Sequence, residues 1–359
     1  MAHFHNPLAA DLDHVLTHVG PLWEDLRGAR LFITGGTGFF GCWLLESLLW
    51  ADAAHGLGVD VVVLTRSPEA FARKAPHLAG HGALRLHEGD IRDFPDPEGG
   101  FSHVIHAATA ASAALNAEAP RVMFDTIVEG TRRTLDFAQR SGASRFLLTS
   151  SGAVYGAQPA TLTHVGEDYR GAPDPTDPAS AYGEGKRAAE HLTALAHHAS
   201  GLGVTIARCF AFVGPYLPLD THFAIGNFLR DALAGGPVQV GGDGTPYRSY
   251  QHAADLMVWL WSILLRGVPG RPYNVGSEAA LSIGEVARRI AESLGLRWTV
   301  AREPDPGVLP ARYVPSTARA RDELGLDIMI PFDDAIARTV QWLRRPPTSR
   351  RGAPPHPVA

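Results

Sequence analysis

The chain has 359 residues, 45% of them hydrophobic, with 32 basic against 37 acidic side chains and a net charge of −5. That is ample for a large core, in one compound domain or two closely joined ones, and no basic stripe with interleaved aromatics marks a nucleic-acid partner. The 17 histidines are scattered, without an HExxH or Cys/His cluster, so no metal site is expected.

Residues 1–28 read as an N-terminal helical extension, because Leu12, Val15, Leu16 and Val19 recur at helical spacing within Asp11–Leu26. Met1–Gly20 carries Asp and His rather than a basic start and an apolar run, so no signal peptide is expected. The longest apolar runs are too short to span a bilayer. Cys42 and Cys209 lack CxxC spacing and read as buried free thiols of a reducing compartment. The expectation is a cytoplasmic protein without membrane contact.

Leu31–Ile33, Val59–Leu64, Leu84–Leu86, Val104–His106, Phe146–Leu148 and Val204–Ala207 read as strands. Helices over Gly38–Leu49, Pro120–Arg140 and about Ser180–His198 intervene. Alternating strands and helices imply a parallel sheet with helices on both faces. After Gly214-Pro215 the pattern becomes mixed. A helix over Asn227–Ala234 precedes strands Pro237–Val240 and Tyr247–Gln251, which flank the turn Gly241–Gly244. A helix over Ala253–Leu265, a strand Tyr273–Val275 and a helix Ile283–Leu294 follow, with Trp259 and Trp261 as core anchors. The fold class is α/β: a doubly wound parallel sheet with a smaller mixed C-terminal lobe. The sheet domain is expected over 29–208 plus about 251–270, and the lobe over 209–250 and 271–345. The Pro-, Arg- and Gly-rich 346–359 reads as a disordered tail.

Gly35, Gly38 and Gly41, in Thr34-Gly-Gly-Thr-Gly-Phe-Phe-Gly41, follow an apolar strand and open a helix. Such a turn lets the backbone approach a pyrophosphate, which helix-start amides and the helix dipole would hold. Thr37, Phe39 and Phe40 belong to the same candidate set. The second strand should end near an adenine ribose, where NAD binders usually carry Asp or Glu. Here it ends in Thr65-Arg66. A guanidinium can pair with a 2′-phosphate, which leans the cofactor from NAD towards NADP; a solvent-facing arginine is the other reading. Asp90 and Ile91, after the third strand, are placed to receive the adenine, or Asp90 is a turn residue. Ala107 and Ala108 after the fourth strand and Thr149 after the fifth complete the cofactor set, with Tyr182 and Lys186.

Ser151 lies just past the strand ending at Leu148, at the carboxyl end of a parallel sheet, where active sites gather. Tyr182 and Lys186 are four residues apart, on one face of a helix. An ammonium and an oxidised nicotinamide both favour a phenolate, so the Tyr182 pKa is expected to fall. The phenolate then takes a hydroxyl proton as hydride leaves the same carbon, with Ser151 hydrogen-bonding that oxygen.

These residues resemble the extended short-chain dehydrogenase/reductase family, in its nucleotide-sugar epimerase/dehydratase branch, from about Arg30 to about Leu343. The matching motifs are TGxxGxxG at Thr34–Gly41, Ser-x-x-Val-Tyr-Gly at Ser151–Gly156, Tyr182-x-x-x-Lys186, Gly214-Pro215, Gly242–Arg248 and Tyr273–Ser277. The resemblance implies a Rossmann domain plus a lobe that binds a nucleoside-diphosphate sugar. It implies Tyr182 as base, Lys186 on the nicotinamide ribose, Ser151 as orienter and Arg248 at the diphosphate. Thr109, Gly152 and Asn227 join Ser151 and Arg248 as candidate substrate contacts. Asn274 touches the nucleotide or sugar, or ends a strand as a turn residue. The family oxidises a sugar carbon transiently, usually C4, and a bound, recycled cofactor follows. A homodimer through the two long helices is implied, with Phe124, Val128, Leu135, Ala188 and Ala189 either supplying the surface or buried within one chain.

The departures narrow the chemistry. Sugar 4,6-dehydratases of this branch carry an Asp-Glu pair where this chain has Gly152 and Ala153, and UDP-glucuronate decarboxylases usually a Glu where Ala153 stands. Both reactions are therefore disfavoured, and a C4 epimerase is the leading expectation. A frequent phosphate-binding asparagine is replaced by Ala211, and another is absent at Ile127 and Glu129. The alternatives are an NADPH-dependent 4-keto-sugar reductase, a dehydratase lacking the acid pair, and a non-catalytic scaffold.

Overall fold

The computed structural model describes residues 6–109, 113–219 and 223–346. In chain order the strands are β1 Arg30–Thr34, β2 Asp60–Thr65, β3 Leu84–Glu88, β4 His103–His106, β5 Arg145–Ser151, β6 Gly203–Cys209 and β7 Phe212–Val213, then β8 Val238–Val240, β9 Tyr247–Arg248, β10 Gln251–His252, β11 Arg271–Val275, β12 Leu281–Ser282, β13 Trp298–Val300 and β14 Arg312–Tyr313. The helices are α1 Ala9–Val19, α2 Phe39–His55, α3 Pro68–Lys74, α4 Pro76–Ala79, α5 Ala113–Glu118 and α6 Pro120–Arg140, then α7 Ala181–Ser200, α8 Ala224–Leu233, α9 Ala253–Arg266, α10 Ile283–Ser293, α11 Ala318–Leu324 and α12 Phe332–Leu343.

Seven strands form one parallel sheet in the order β11-β6-β5-β4-β1-β2-β3. Strands buried on both faces need apolar side chains at every position, which Val61-Val-Val-Leu64 supplies. Alternation then sorts the strand residues between two cores. Leu31, Ile33, Ile105 and Leu147 join the helices α1, α2 and α9 on one face. Phe32, Val104, Phe146 and Val204 join α6 and α7 on the other. The strand order reverses between β1 and β4, so a crevice opens beyond their carboxyl ends.

Three expectations are corrected. Tyr247–Gln251 is not one strand: β9 pairs with β12 and β14, whereas β10 pairs with β7, and the chain crosses between the two sheets at Ser249-Tyr250. The Rossmann unit does not stop near residue 270, because β11 is the outer strand of the main sheet, beside β6. Beyond Leu294 the sequence reading named no elements, yet β13, β14, α11 and α12 all lie there. Most of the expected tail, 347–359, lies outside the described residues.

The N-terminal extension docks as expected. Leu12, Val15, Val19, Trp23 and Leu26 are buried. Asp255, in the first turn of α9, accepts His14 Nε2 at 2.8 Å and the amides of Met329 and Ile330 at 3.0 and 2.9 Å. Trp259, Trp261, Cys42 and Cys209 are buried, and both thiols are free. Of the candidate dimer residues, Leu135 and Ala189 are buried within the chain, while Phe124, Val128 and Ala188 are half-buried. Among the described residues no helix is long and apolar enough to cross a membrane.

Candidate active site

The glycine turn between β1 and α2 is held tightly by its neighbours. Gly35 has φ 72°, and a Cβ there would lie 2.5 Å from the Ala107 carbonyl. At Gly41 a Cβ would come within 2.3 Å of Gly35 O and Gly36. No side chain caps α2 at Gly38, so the opening amides of a 17-residue helix face outward from the turn. Lys74, from α3, reaches back to donate to Thr37 O at 2.7 Å. The glycine cradle, uncapped amides and nearby ammonium fit a dinucleotide's pyrophosphate. Phe39 and Phe40 open α2, and Phe40 packs edge-on against Phe212.

A buried relay fixes the far wall of this turn. Ala108 N donates to Thr34 Oγ1, which lies 2.8 Å from His106 Nδ1, and His106 Nε2 lies 3.1 Å from Thr131 Oγ1. Thr131 spends its own proton on Ile127 O, so it must accept from His106. His106 is therefore the neutral Nε2–H tautomer, receiving the Thr34 proton at Nδ1. Burial lowers its pKa to about 3. The relay ties Ala107 and Ala108 to α6.

At the adenosine end, Thr65 closes β2 and Arg66 is exposed. Asp90 is bound to Arg92 through Nε at 2.8 Å and the backbone N at 3.0 Å, contacts that hold its carboxyl below the usual range, with a smaller contribution from Arg66. Ile91 packs on α6 where Gly130 leaves room for it.

The candidate catalytic residues Ser151, Tyr182 and Lys186 converge at the carboxyl ends of β5 and β6. Ser151 ends β5 and accepts from Ala153 N at 3.1 Å. Tyr182 opens α7, and its amide donates to Asn116 Oδ1 at 3.0 Å. Asn116 also donates to Ala179 O at 2.8 Å, so one amide side chain of α5 pins the start of α7. Lys186 is buried one turn on; its Nζ donates to Thr109 Oγ1 at 2.6 Å and Thr149 O at 2.8 Å. Burial lowers the Lys186 pKa to about 8. Thr149 Oγ1 in turn donates to His106 O.

The expected lowering of the Tyr182 phenol by the Lys186 ammonium is not found. Burial raises its pKa, and hydrogen bonding to Ser151 is the influence that opposes the rise. The Lys186 ammonium, which was to lower it, gives two of its three donors to Thr109 and Thr149 instead.

Among the candidate substrate contacts, Arg248 donates one N–H to Tyr247 O at 2.8 Å. Asn227 lines a cleft of about 260 Å³ with Gln239, Gly242 and Asp243. Thr109, read as a substrate contact, is bound to Lys186. Asn274 is fully buried and spent within the protein. Its Oδ1 accepts from Tyr155 at 2.8 Å, and its Nδ2 donates to Val165 O and Ser316 O at 2.9 and 3.0 Å. It clamps β11 to the lobe and has no donor left for a ligand.

Sequence reasoning missed Asn116, the His106 relay and Tyr313. The Tyr313 hydroxyl lies 3.4 Å from Ser151 Oγ across a separation of 162 residues. Gly152 is as close: a Cβ there would meet the Phe210 ring at 2.7 Å and the Tyr313 hydroxyl at 2.8 Å. No periodicity announces Tyr313, which belongs to a two-residue strand after a long loop.

The model of the NAD dependent epimerase/dehydratase family matches residues 31–276. The chain is 31% identical over 325 residues to UDP-glucuronic acid decarboxylase 1 of Arabidopsis thaliana, covering 90% of this chain and 72% of that protein. It is 32% identical over 325 residues to dTDP-glucose 4,6-dehydratase of Streptomyces griseus, covering 88% and 94%. The solved structure of DesIV, the dTDP-glucose 4,6-dehydratase of Streptomyces venezuelae with NAD bound, matches with a TM-score of 0.73 at 27% identity over 88% of this chain and 97% of that one. The UDP-glucose 4-epimerase of Thermotoga maritima shares the fold, with a TM-score of 0.71 at 20% identity over 88% and 98%. The two sequence relatives thus bear the names of the reactions that Gly152 and Ala153 were read as disfavouring, while an epimerase shares the architecture. The chain is an enzyme of the extended short-chain dehydrogenase/reductase type and belongs to the NAD dependent epimerase/dehydratase family.

Proposed function

We propose that the protein is a nucleotide-sugar epimerase, acting at C4 through a transient keto sugar with a dinucleotide that is not consumed. The observation that carries this reading is the surface beside Ser151. Gly152 and Ala153 bring no ionisable group to it, and a side chain at 152 would run into Phe210 and Tyr313. An acid for expelling water has no place at that position.

When bound, the dinucleotide supplies the acceptor and source of one hydride. Gly35, Thr37, Gly38, Phe39, Phe40 and Gly41 would hold its pyrophosphate. Thr65, Arg66, Asp90 and Ile91 would border its adenosine, and Ala107, Ala108 and Thr149 its nicotinamide half. Tyr182 takes the proton of the sugar hydroxyl and later returns it. Ser151 Oγ, accepting from Ala153, has one proton to place on the sugar oxygen. Lys186 has one N–H left for the ribose after Thr109 and Thr149. Arg248 and Asn227 would receive the sugar nucleotide's diphosphate and nucleoside.

The test is mass spectrometry of UDP-, dTDP-, GDP- and CDP-sugars incubated with the protein and no added cofactor. An isobaric product with a new retention time supports the epimerase. Loss of the mass of water or of carbon dioxide replaces it with the dehydratase or decarboxylase reading, which the names of the sequence relatives favour. A second reading, a reductase of 4-keto sugars, rests on Arg66 exposed at the end of β2. Turnover only with stoichiometric NADPH would favour it. The same reading places the protein in the cytoplasm as a homodimer through α6 and α7, where Val122 and Leu195 are exposed. Sedimentation as a monomer would remove the dimer.

A further inference from the structure

The Tyr313 hydroxyl is held between two partners. It lies 3.4 Å from Ser151 Oγ and 3.4 Å from the main-chain oxygen of Cys209. Its ring is fixed independently of the hydroxyl, packing against Phe210 at 4.6 Å between centroids with the planes tilted by 38°, and with the Arg248 guanidinium 5.7 Å from the ring centre. The strand pairing explains the placement. Tyr313 is the register partner of Arg248 across β14 and β9, so both side chains leave the same face of that small sheet.

Counting protons turns this placement into a role. Ser151 Oγ has one proton and two lone pairs, and one lone pair already accepts Ala153 N–H. The Tyr313 hydroxyl also has one proton. Donated to Cys209 O, it leaves a phenol lone pair facing Ser151, and the serine proton is drawn to Tyr313, away from the reacting oxygen. Donated to Ser151 Oγ, it fills the second lone pair. The serine proton can then only point outward, to Tyr182 or to a sugar oxygen. Gly152 completes the device, since a Cβ there would lie 2.8 Å from the Tyr313 hydroxyl and push it from this position.

We propose that Tyr313 is a positioning residue for the redox step: by turning its proton from Cys209 O to Ser151 Oγ, it sets the direction in which Ser151 donates. Only hydrogen bonds change, and no atom is transferred. The kinetic consequence rests on the epimerase reading above; the hydrogen-bond consequence does not.

The substrate-free test is a titration of the whole protein labelled with 13Cζ-tyrosine, the Tyr182 resonance being assigned by its loss in Tyr182→Phe. Tyr313→Phe keeps the ring packing and removes only the hydroxyl. The Tyr182 midpoint should then move by about half a pH unit or more, because the hydroxyl that sets where the Ser151 proton points is gone. An unchanged midpoint overturns the proposal, whatever the enzyme turns over. On a sugar that the wild type converts, Tyr313→Phe should lower kcat about 10- to 100-fold with KM within about twofold. The same substitution should cost nothing further in a Ser151→Ala background. An equal loss in that background would mean that Tyr313 does not act through Ser151, and would overturn the proposal. If the wild type converts no nucleotide sugar, the epimerase reading fails and the titration still decides Tyr313.

Discussion

Lys186 Nζ donates to the main-chain oxygen of Thr149 at 2.8 Å, tying α7 to the end of β5 just before Ser151. The buried ammonium is charged at neutral pH, with its pKa lowered to about 8. As pH rises through that value it becomes neutral, and its charge-assisted hydrogen bond to a ribose hydroxyl weakens. The rate should therefore fall on the alkaline side near about pH 8. Lys186→Met should remove that limb and lower kcat about 100-fold or more. A pH profile of initial rates checks both; a wild-type rate flat to pH 10 would contradict the assignment.

Tyr182→Phe should lower kcat about 10²- to 10⁴-fold, as expected for loss of a general base. Because the helix start is held by Asn116 through the Tyr182 amide, not the phenol, the variant should keep its melting temperature and bound dinucleotide. Activity and cofactor content measured on the same preparation test this together.

Gly41→Ala places a Cβ 2.3 Å from backbone atoms of the turn, with no flexible side chain to give way. The turn must open, which removes the fit to a pyrophosphate and strains the packing by about 1–3 kcal/mol. Urea unfolding should show that loss, and the purified variant should carry no dinucleotide. Normal cofactor content would show that the turn is not the phosphate cradle.

His106 gives the fold an acid weakness. Folded, it stays neutral down to about pH 3; unfolded, it takes a proton below about 6.5. The unfolded state thus binds more protons between those limits, and stability falls as pH falls from about 6.5 towards 3. His103 and His252, each lowered to about 4 by burial, add to the fall over its upper part. His106→Asn should be less stable at pH 7 but show a shallower decline of melting temperature between about pH 6.5 and 4. Parallel slopes would place the acid sensitivity elsewhere.

Much of the framework was legible because its signals are local. Val61–Leu64 is a buried run that only a doubly covered strand needs, and Gly35 and Gly41 stand where a backbone turn allows no Cβ. Ser151, Tyr182 and Lys186 are brought together by a strand end and a helix, both announced by pattern. Asn274 stayed open between a ligand contact and a strand-end residue because its position looks the same whether its amide faces a ligand or, as here, Tyr155, Val165 and Ser316. The strand expected at Tyr247–Gln251 failed because five residues of β propensity do not reveal which sheet each half will join.

By itself, then, the sequence determined the layered α/β plan and the glycine turn, and it singled out Ser151, Tyr182 and Lys186 as the proposed reacting groups, since each depends on residue type and short spacing. Tertiary structure alone decided what surrounds those groups. The raised phenol of Tyr182, the commitment of Lys186 to Thr109 and Thr149, and the Tyr313 hydroxyl beside Ser151 arise from burial and from contacts between segments far apart in the chain. Desolvation and hydrogen-bond geometry exist only once those segments are packed together.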